Sequence, residues 1–121
     1  MEENIVFNEE DVRSNKAMGI LAYIGILFLI PLFAAKDSQY ARFHTNQGLV
    51  LFIAEIALNV VARIISVILG NAMGLVALPV ITVINLVVGI AALVFLILGI
   101  INACSGEPKK LPLIGGITIL K

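Results

Sequence analysis

Charged side chains are scarce in this sequence, and the shortage excludes an ordinary soluble domain. Only 13% of the 121 residues are charged while 60% are hydrophobic, and eight basic residues balance eight acidic ones. A soluble domain carries about a quarter charged residues, and a small one has too little interior to hide so many apolar side chains. Without a net positive charge, nucleic acid is not an expected partner. The composition predicts an integral membrane protein in the lipid bilayer.

Residues that carry enzyme chemistry are also few. The single cysteine, Cys104, has no partner for an internal disulfide, and one cysteine with one histidine is too few for a metal site. No serine lies in a Gly-x-Ser-x-Gly motif, and no glycine-rich phosphate loop is present. We therefore expect no enzyme, no catalytic residue, no bound metal and no cofactor.

Long uncharged runs predict three membrane-spanning helices. The first run, residues 17–35, rises roughly 28 Å as a helix, close to the hydrocarbon thickness of a bilayer. Its leader is acidic rather than basic, so we expect a retained helix and not a cleaved signal peptide. A longer run, residues 64–106, is divided by Gly70, Gly74 and Pro79. The spans are predicted at about 17–35, 46–69 and 79–104, within a transmembrane domain of residues 17–105.

The remaining segments are expected at the membrane surface. Residues 1–16 form an acidic N-terminal segment that is partly helical from Asn8, with three acids in the favourable first turn. Before the second span, Asp37 or Ser38 is a candidate N-cap, and the polar residues that follow suit the headgroup layer. The tail, residues 106–121, is too short to span and is expected at or dipping into the interface. The predicted fold class is all-α: an integral membrane helical bundle with three transmembrane helices plus interfacial N-terminal, loop and C-terminal segments.

Basic residues near the spans predict the orientation. With three crossings, five basic residues lie on one side and two on the other: Lys36, Arg42, Lys109, Lys110 and Lys121 against Arg13 and Lys16. Because basic residues favour the cytoplasmic side, this bias predicts an outside N-terminus and a cytoplasmic C-terminus, in a multi-pass protein of the cell inner (plasma) membrane.

Polar side chains recur along one face of the second helix. Glu55, Asn59 and Arg63 are four residues apart and share that face near the bilayer midplane. A charge at the midplane costs about 2.5–3.5 kcal/mol on insertion scales, so the face must contact protein or water. Counting residues along the hairpins predicts an intramembrane polar seam of Tyr23 with Glu55 and Asn59, and of Arg63 with Asn85 or Thr82. Three interpretations of the face stay open: a helix-packing contact, an ion, proton or substrate path, and a stripe that reaches interfacial water.

Small residues form a second pattern. Gly19 and Gly25 lie in the first predicted span, and Gly89 and Gly99 in the third. Because glycine lets helix backbones approach closely in a membrane, these four residues are predicted helix-packing positions.

Three segments carry a resemblance to a known family. They are residues 30–38, the run Arg42-Phe43-His44-Thr45-Asn46-Gln47 with its neighbours, and Gly106-Glu107 followed by Pro112. Over residues 14–118 the chain resembles a family of small bacterial membrane proteins of unknown function. That family is related to the twenty-kilodalton subunit of the chloroplast inner-envelope protein import translocon. The resemblance implies a helical membrane domain and, by distant analogy, a role in protein transport.

The three-span topology places the Arg-Phe-His segment and the Gly-Glu-Pro tail on one side of the membrane. We expect a contact there, at the cytoplasmic end, among Arg42, His44, Gln47 and Glu107, with Glu107 near Arg42 or His44. Two functions remain open. The first is an interaction or assembly subunit, such as a component of a protein-transport machine, with other membrane proteins or further copies of itself as partners. The alternative is a small oligomeric channel or carrier with a polar path along helix two.

Overall fold

The computed structural model describes residues 7–106 and 110–119; most of these residues are helical, and none of them lies in a strand. The helices are α1 (Glu9–Leu21), α2 (Leu29–Ala34), α3 (Gln39–Met73) and α4 (Leu78–Ser105). Two short 3₁₀ turns, Gly25–Phe28 and Gly74–Ala77, precede α2 and α4. The predicted all-helical fold class is confirmed for this part of the chain.

The chain divides into two compact units. The terminal unit comprises Met1–Phe52 and Phe95–Lys121, and the hairpin unit comprises Ile53–Val94. The terminal unit contains α1, α2, the start of α3 and the end of α4. The hairpin unit contains the rest of α3 and α4 with the turn between them.

The N-terminal segment forms α1, as its acidic first turn predicts. Asn8 caps the helix, since its Oδ1 accepts hydrogen bonds from the backbone N–H of Glu10 at 2.8 Å and of Asp11 at 3.2 Å. Acidic side chains in the first turn also favour the positive end of the helix dipole. The helix continues to Leu21, so the first part of the predicted first span belongs to this helix.

The predicted first span is wrong as a single helix. After α1 ends, Gly25 adopts φ +50° in the left-handed region, and α2 begins only at Leu29. At this break the chain passes very close to α3: a Cβ at Gly48 would overlap the carbonyl group of Ala22. The stretch Gly25–Ala34 is apolar but short. The one stretch in the described residues that is long and apolar enough to cross a membrane is Gln39–Ser105.

The helices α3 and α4 carry the long apolar sequence. Ser38 caps α3, since its Oγ accepts from the backbone N–H of Ala41 at 2.9 Å, and the predicted N-cap is confirmed. The helix therefore begins earlier than the predicted second span and runs for 35 residues. Gly74, with φ +63°, separates it from α4.

The core of the structure lies in the terminal unit. One buried cluster contains Ala22, Tyr23, Leu51, Ala103 and Leu111, and a second contains Phe7, Ala35, Tyr40 and Ala41. In the hairpin unit the buried residues are only Ala62 and Ala77, and side chains as large as Leu75 are 82% exposed. The hairpin unit therefore leaves a large apolar surface exposed.

Candidate functional site

The first turns of α3 bury a histidine among aromatic rings. His44 has no exposed surface, and its ring lies 5.0 Å from that of Tyr40, 5.1 Å from Phe43 and 5.5 Å from Tyr23 between centroids. A hydrogen bond of 2.5 Å joins the Tyr23 hydroxyl to His44 Nδ1. Because Tyr40 and His44 are four residues apart, they share one face of α3. We call Tyr23, Tyr40, Phe43 and His44 the His44 cluster.

The hydrogen bond of Tyr23 corrects the predicted seam. Its hydroxyl was expected beside Glu55 and Asn59, but its partner is His44 at the start of α3. The prediction counted residues along an unbroken first helix, and the break after α1 changes which turn of α3 the Tyr23 ring meets. Both partners lie in the terminal unit.

Glycines let the helices of the terminal unit approach these rings. A Cβ at Gly19 would lie 2.7 Å from the Cζ of Tyr40, and one at Gly99 would overlap the ring of Tyr23. The hydroxyl of this same Tyr40 side chain donates a hydrogen bond to the carbonyl oxygen of Ala103 at 2.7 Å. Gly19 and Gly99 therefore lie at close helix contacts, as their small size indicates.

The other two predicted packing glycines have a different environment. A Cβ at Gly25 or at Gly89 would meet no described atom within 4 Å. Gly25 serves the turn after α1 through its positive φ, and Gly89 lies on an open face of α4. Neither glycine lies at a close contact within the described residues, so their helix-packing role stays a prediction.

Two neighbouring amides hold the C-terminal tail against α3. Gln47 Nε2 donates to the carbonyl of Gly115 at 2.9 Å, and its Oε1 accepts from the N–H of Leu111 at 2.8 Å. Asn46 Nδ2 donates to the carbonyl of Ile117 at 2.9 Å, and its Oδ1 accepts from the N–H of Ile119 at 2.7 Å. Each side chain pairs with the tail as a strand backbone would. We call Asn46 and Gln47 the amide clamp.

Only one of the two residues of the amide clamp was predicted from the sequence. Gln47 was predicted to contact the tail, but Asn46 was not singled out. The sequence feature that could have identified Asn46 is its position next to Gln47. A short tail without regular secondary structure has backbone groups that need hydrogen-bond partners once they are buried, and two adjacent amides can supply them. Glu107 lies outside the described residues, so its predicted contact with Arg42 or His44 stays a prediction.

A carboxylate links α1 to the start of α3. Asp11 accepts hydrogen bonds from the Ser38 hydroxyl at 2.5 Å, the backbone N–H of Tyr40 at 3.1 Å and Asn15 Nδ2 at 2.9 Å. Partial burial raises the pKa of Asp11, but the hydrogen bonds from Ser38, Tyr40 and Asn15 together lower it below its usual value. Lys16 Nζ donates to the carbonyl of Cys104 at 3.0 Å. The N-terminal segment, the loop before α3 and the end of α4 therefore lie side by side.

The hairpin unit contains a polar cavity of about 300 Å³. Its lining is polar and comes from both helices: Asn59, Arg63 and Ser66 of α3 with Asn85 of α4. The two amides and the hydroxyl each donate to a backbone carbonyl one turn earlier in their own helix. The structure thus brings Arg63 and Asn85 to one cavity, as the seam predicted, whereas Thr82 is not in its lining. We call this the hairpin cavity.

The two charged side chains of the hairpin unit, Glu55 and Arg63, make no such hydrogen bond to a backbone carbonyl within the described residues. Arg63 is exposed and Glu55 is partly buried. Within residues 7–106 and 110–119, neither the Arg63 guanidinium nor the Glu55 carboxylate has a hydrogen-bond or ion-pair partner. In the same residues, no three His, Cys, Asp or Glu side chains lie close enough to hold a metal ion. The hairpin cavity therefore presents one cation without a counter-ion.

Comparison with known proteins assigns the family. Residues 14–119 match the magnetosome magnetite crystal formation protein family, the MamF/MmsF family. This chain belongs to that family. A UPF0132 membrane protein of Methanocaldococcus jannaschii is 31% identical over 105 residues, which cover 82% of this chain and 64% of the relative.

Two magnetosome proteins match shorter parts of the chain. The magnetosome protein MamF of Magnetospirillum gryphiswaldense is 36% identical over 59 residues, 46% of this chain and 53% of the relative. MamF of Paramagnetospirillum magneticum is 49% identical over 35 residues, 29% of this chain and 32% of the relative. The chain thus spans about a third to two thirds of the length of these relatives. No solved structure matches it significantly.

These comparisons confirm the family of small membrane proteins that the sequence resembles. The chain belongs to a family of small membrane proteins, and the relative that covers most of it is named a membrane protein. They show no link to the chloroplast translocon subunit.

Proposed function

We propose that this protein is a membrane-embedded assembly subunit that packs against other membrane proteins through its hairpin unit. The observation that carries the proposal is the contrast between the two units. The terminal unit buries a core and pairs its amides with its own tail. The hairpin unit buries only two alanines and carries Glu55 and Arg63 on an apolar surface. Charges inside a bilayer are stabilised when they face protein.

The open face of α4 supports the same function. Gly89 has no described atom near its Cβ position, and small residues on membrane helices allow another helix to pack closely. Asn85 lies four residues before Gly89 and so shares its face of α4. A partner helix on this face would contact both a small residue and an amide.

The contacts of the terminal unit suggest a topology different from three spans. Since Lys16 contacts Cys104 and Asp11 contacts Ser38, the N-terminal segment, the loop and the end of α4 share one side of the membrane. Helices α3 and α4, with 35 and 28 residues, each exceed the length of about 20 residues that crosses a bilayer. We therefore propose two crossings by α3 and α4, in place of three crossings with the N-terminus outside.

Basic residues orient this two-crossing arrangement. Seven of the eight lysines and arginines lie outside the hairpin unit, and Arg63 is the one within it. Under the positive-inside rule, this arrangement would have α1 and the end of α4 at the cytoplasmic side and the turn at Gly74–Ala77 on the opposite side. All copies of the chain would insert in this one orientation.

The names of the relatives suggest where such a subunit could act. Two relatives are magnetosome proteins and the family is described by magnetite crystal formation, while the relative covering most of this chain carries no such role in its name. We propose that membrane assembly is the shared part of the function and that crystal formation belongs to some members. A component of a protein-transport machine would be one example of such an assembly subunit.

The mass of the complex in its own membrane tests the proposal. Extracted gently, the protein should appear in a discrete complex with other membrane proteins. Gly89→Leu should dissociate the complex by filling the open face of α4. Val87→Leu is the matched control, since Val87 is 60% exposed and lies nearly opposite Gly89 around the helix. A lone monomer would contradict the proposal, as would equal effects of the two substitutions.

The hairpin cavity favours a second candidate function, a small oligomeric channel or carrier. A ring of copies whose cavities face a central axis would surround a path with charged and amide side chains, as ion channels do. The matching experiment is conductance across a vesicle membrane containing the purified protein. Arg63→Gln, which removes the charge from the lining of the cavity, should change its ion selectivity, and absence of any conductance would dismiss this candidate.

A further inference from the structure

The hairpin unit holds one acidic and one basic residue, and they lie on the same helix face. Glu55 and Arg63 are eight residues apart on α3 with Asn59 midway between them. Within the described part of the chain, both charged groups are without a polar partner. Two turns of helix separate them by about 12 Å along the axis, and only Arg63 lines the hairpin cavity. Each charge therefore needs a counter-charge from outside the described residues.

A second copy of the chain in direct contact would not supply these counter-charges. Copies inserted in one orientation lie at the same depth in the bilayer. A symmetric contact through this face would place Arg63 beside Arg63 and Glu55 beside Glu55. Like charges held together at an interface cost several kcal/mol. The charge pattern therefore disfavours direct self-association through this face.

The hairpin cavity has room and hydrogen-bond donors for an acidic side chain. Asn59 and Asn85 each use an amide N–H on a backbone carbonyl, and an amide has a second N–H to donate. The guanidinium of Arg63 adds five N–H donors in a planar fork that matches a carboxylate. A lining of donors around one cation selects an anionic acceptor.

We propose that this face binds a transmembrane helix of a different protein, one that carries an Asp or Glu carboxylate at the depth of Arg63. The same helix, two turns away, would present a basic residue to Glu55. The inference rests on the proposed assembly function and names the chemistry of its partner. Pairing with a charged partner removes the cost of leaving Arg63 in lipid, and it selects against partners without the matching charge.

Designed peptides test the pairing without knowledge of the natural partner. The full chain, labelled with a donor dye at its exposed Cys104, is placed in neutral phosphatidylcholine vesicles. Acceptor-labelled transmembrane peptides rich in leucine carry Glu, Gln or Lys at the centre. Energy transfer should report the Glu peptide binding at least about tenfold more tightly than the Gln peptide. The preference should vanish in Arg63→Gln and persist in Arg63→Lys, which keeps the charge.

Arg13→Gln is the matched control, because it removes the same charge from an exposed position in the terminal unit. It should keep the preference for the Glu peptide. Binding of the Lys peptide should weaken in Glu55→Gln and not in Arg63→Gln. Equal binding of the Glu and Gln peptides would overturn the inference, and so would a preference that survives in Arg63→Gln.

Self-association is measured in the same vesicles. Energy transfer between donor- and acceptor-labelled copies that depends on Arg63 would also overturn the inference, because the partner would then be the same chain. A native complex with other proteins but no preference for the Glu peptide would refute this inference alone. A lone monomer in the native membrane would refute the proposed function itself.

Discussion

The hydroxyl of Tyr40 donates a hydrogen bond of 2.7 Å to the carbonyl oxygen of Ala103, and this bond joins the start of α3 to the end of α4. Ala103 lies in the last turn of α4, where carbonyl groups lack the usual helical partner. Its carbonyl also accepts from the N–H of Gly106 at 3.2 Å. This hydrogen bond therefore connects the two ends of the apolar stretch Gln39–Ser105 within the terminal unit.

Replacing Tyr40 with Phe tests how much this hydrogen bond contributes to stability. The substitution removes the hydroxyl and keeps the ring beside His44, so the loss should be one hydrogen bond. We expect the free energy of unfolding to fall by about 1 kcal/mol, since Gly106 still partners the carbonyl. Thermal unfolding in detergent measures the change. Phe43→Tyr is a useful comparison because it adds a hydroxyl to a neighbouring ring, and unchanged stability in Tyr40→Phe would contradict the assigned bond.

Alanine substitutions at the glycines should separate close contacts from open positions. Gly19→Ala and Gly99→Ala each force a Cβ into a tyrosine ring, and overpacking of this kind costs about 1–3 kcal/mol. Gly89→Ala adds the same methyl group where nothing described lies within 4 Å. It should leave the isolated protein as stable as before, or more stable, because alanine favours helix. Equal destabilisation at all three positions would contradict the packing described for Gly19 and Gly99.

Local signals in the sequence predicted where some of the helices begin and turn. The start of a helix at Asn8 and an N-cap at Asp37 or Ser38 were predicted from residues that suit the first turn of a helix, and in the structure Asn8 and Ser38 cap α1 and α3. The turn near Gly74 was predicted from the glycines and the proline that divide the uncharged run 64–106. These features depend on residues within a few positions of each other, which is why sequence alone could locate them.

Contacts between distant segments were harder to predict. The run 17–35 has the length of a membrane span, and nothing in its composition shows that Ala22 must pass against Gly48 of α3. Once the helix breaks there, Tyr23 meets His44 instead of the middle of α3. Asn46 was missed for a similar reason, since its partners lie more than seventy residues away. Length and hydropathy describe a segment by itself and carry no information on such partners.

Removing the amide of Gln47 should release the C-terminal tail. Gln47 is 2% exposed, and its side chain bonds both Leu111 and Gly115. In Gln47→Leu these two backbone groups lose their partners, so the variant should lose roughly 2 kcal/mol of stability. Hydrogen exchange at residues 110–119 should accelerate more than exchange in α3.

A substitution at Gln39 provides the control for the tail experiment. Gln39 lies at the start of the same helix and is exposed, so Gln39→Leu makes the same chemical change without touching the tail. Exchange at residues 110–119 should match the unmodified protein in this control. If Gln47→Leu leaves exchange of the tail unchanged, the amide clamp does not hold the tail in solution.

The carboxylate of Asp11 should make the stability of the protein depend on acidity. Hydrogen bonds from Ser38, Tyr40 and Asn15 outweigh partial burial and hold the pKa of Asp11 below its usual value in the folded protein. A carboxyl group with a lowered folded pKa stabilises the fold fully above its ordinary pKa of about 4. This contribution is lost as the pH falls from there through the folded pKa, because protonation weakens the bonds. The melting temperature, Tm, should therefore decline below pH 4 more steeply than in Asp11→Asn, which cannot titrate. Glu10→Gln, which removes an exposed acid from the same turn, should keep the steep decline, whereas parallel curves for the unmodified protein and Asp11→Asn would show that Asp11 contributes nothing to it.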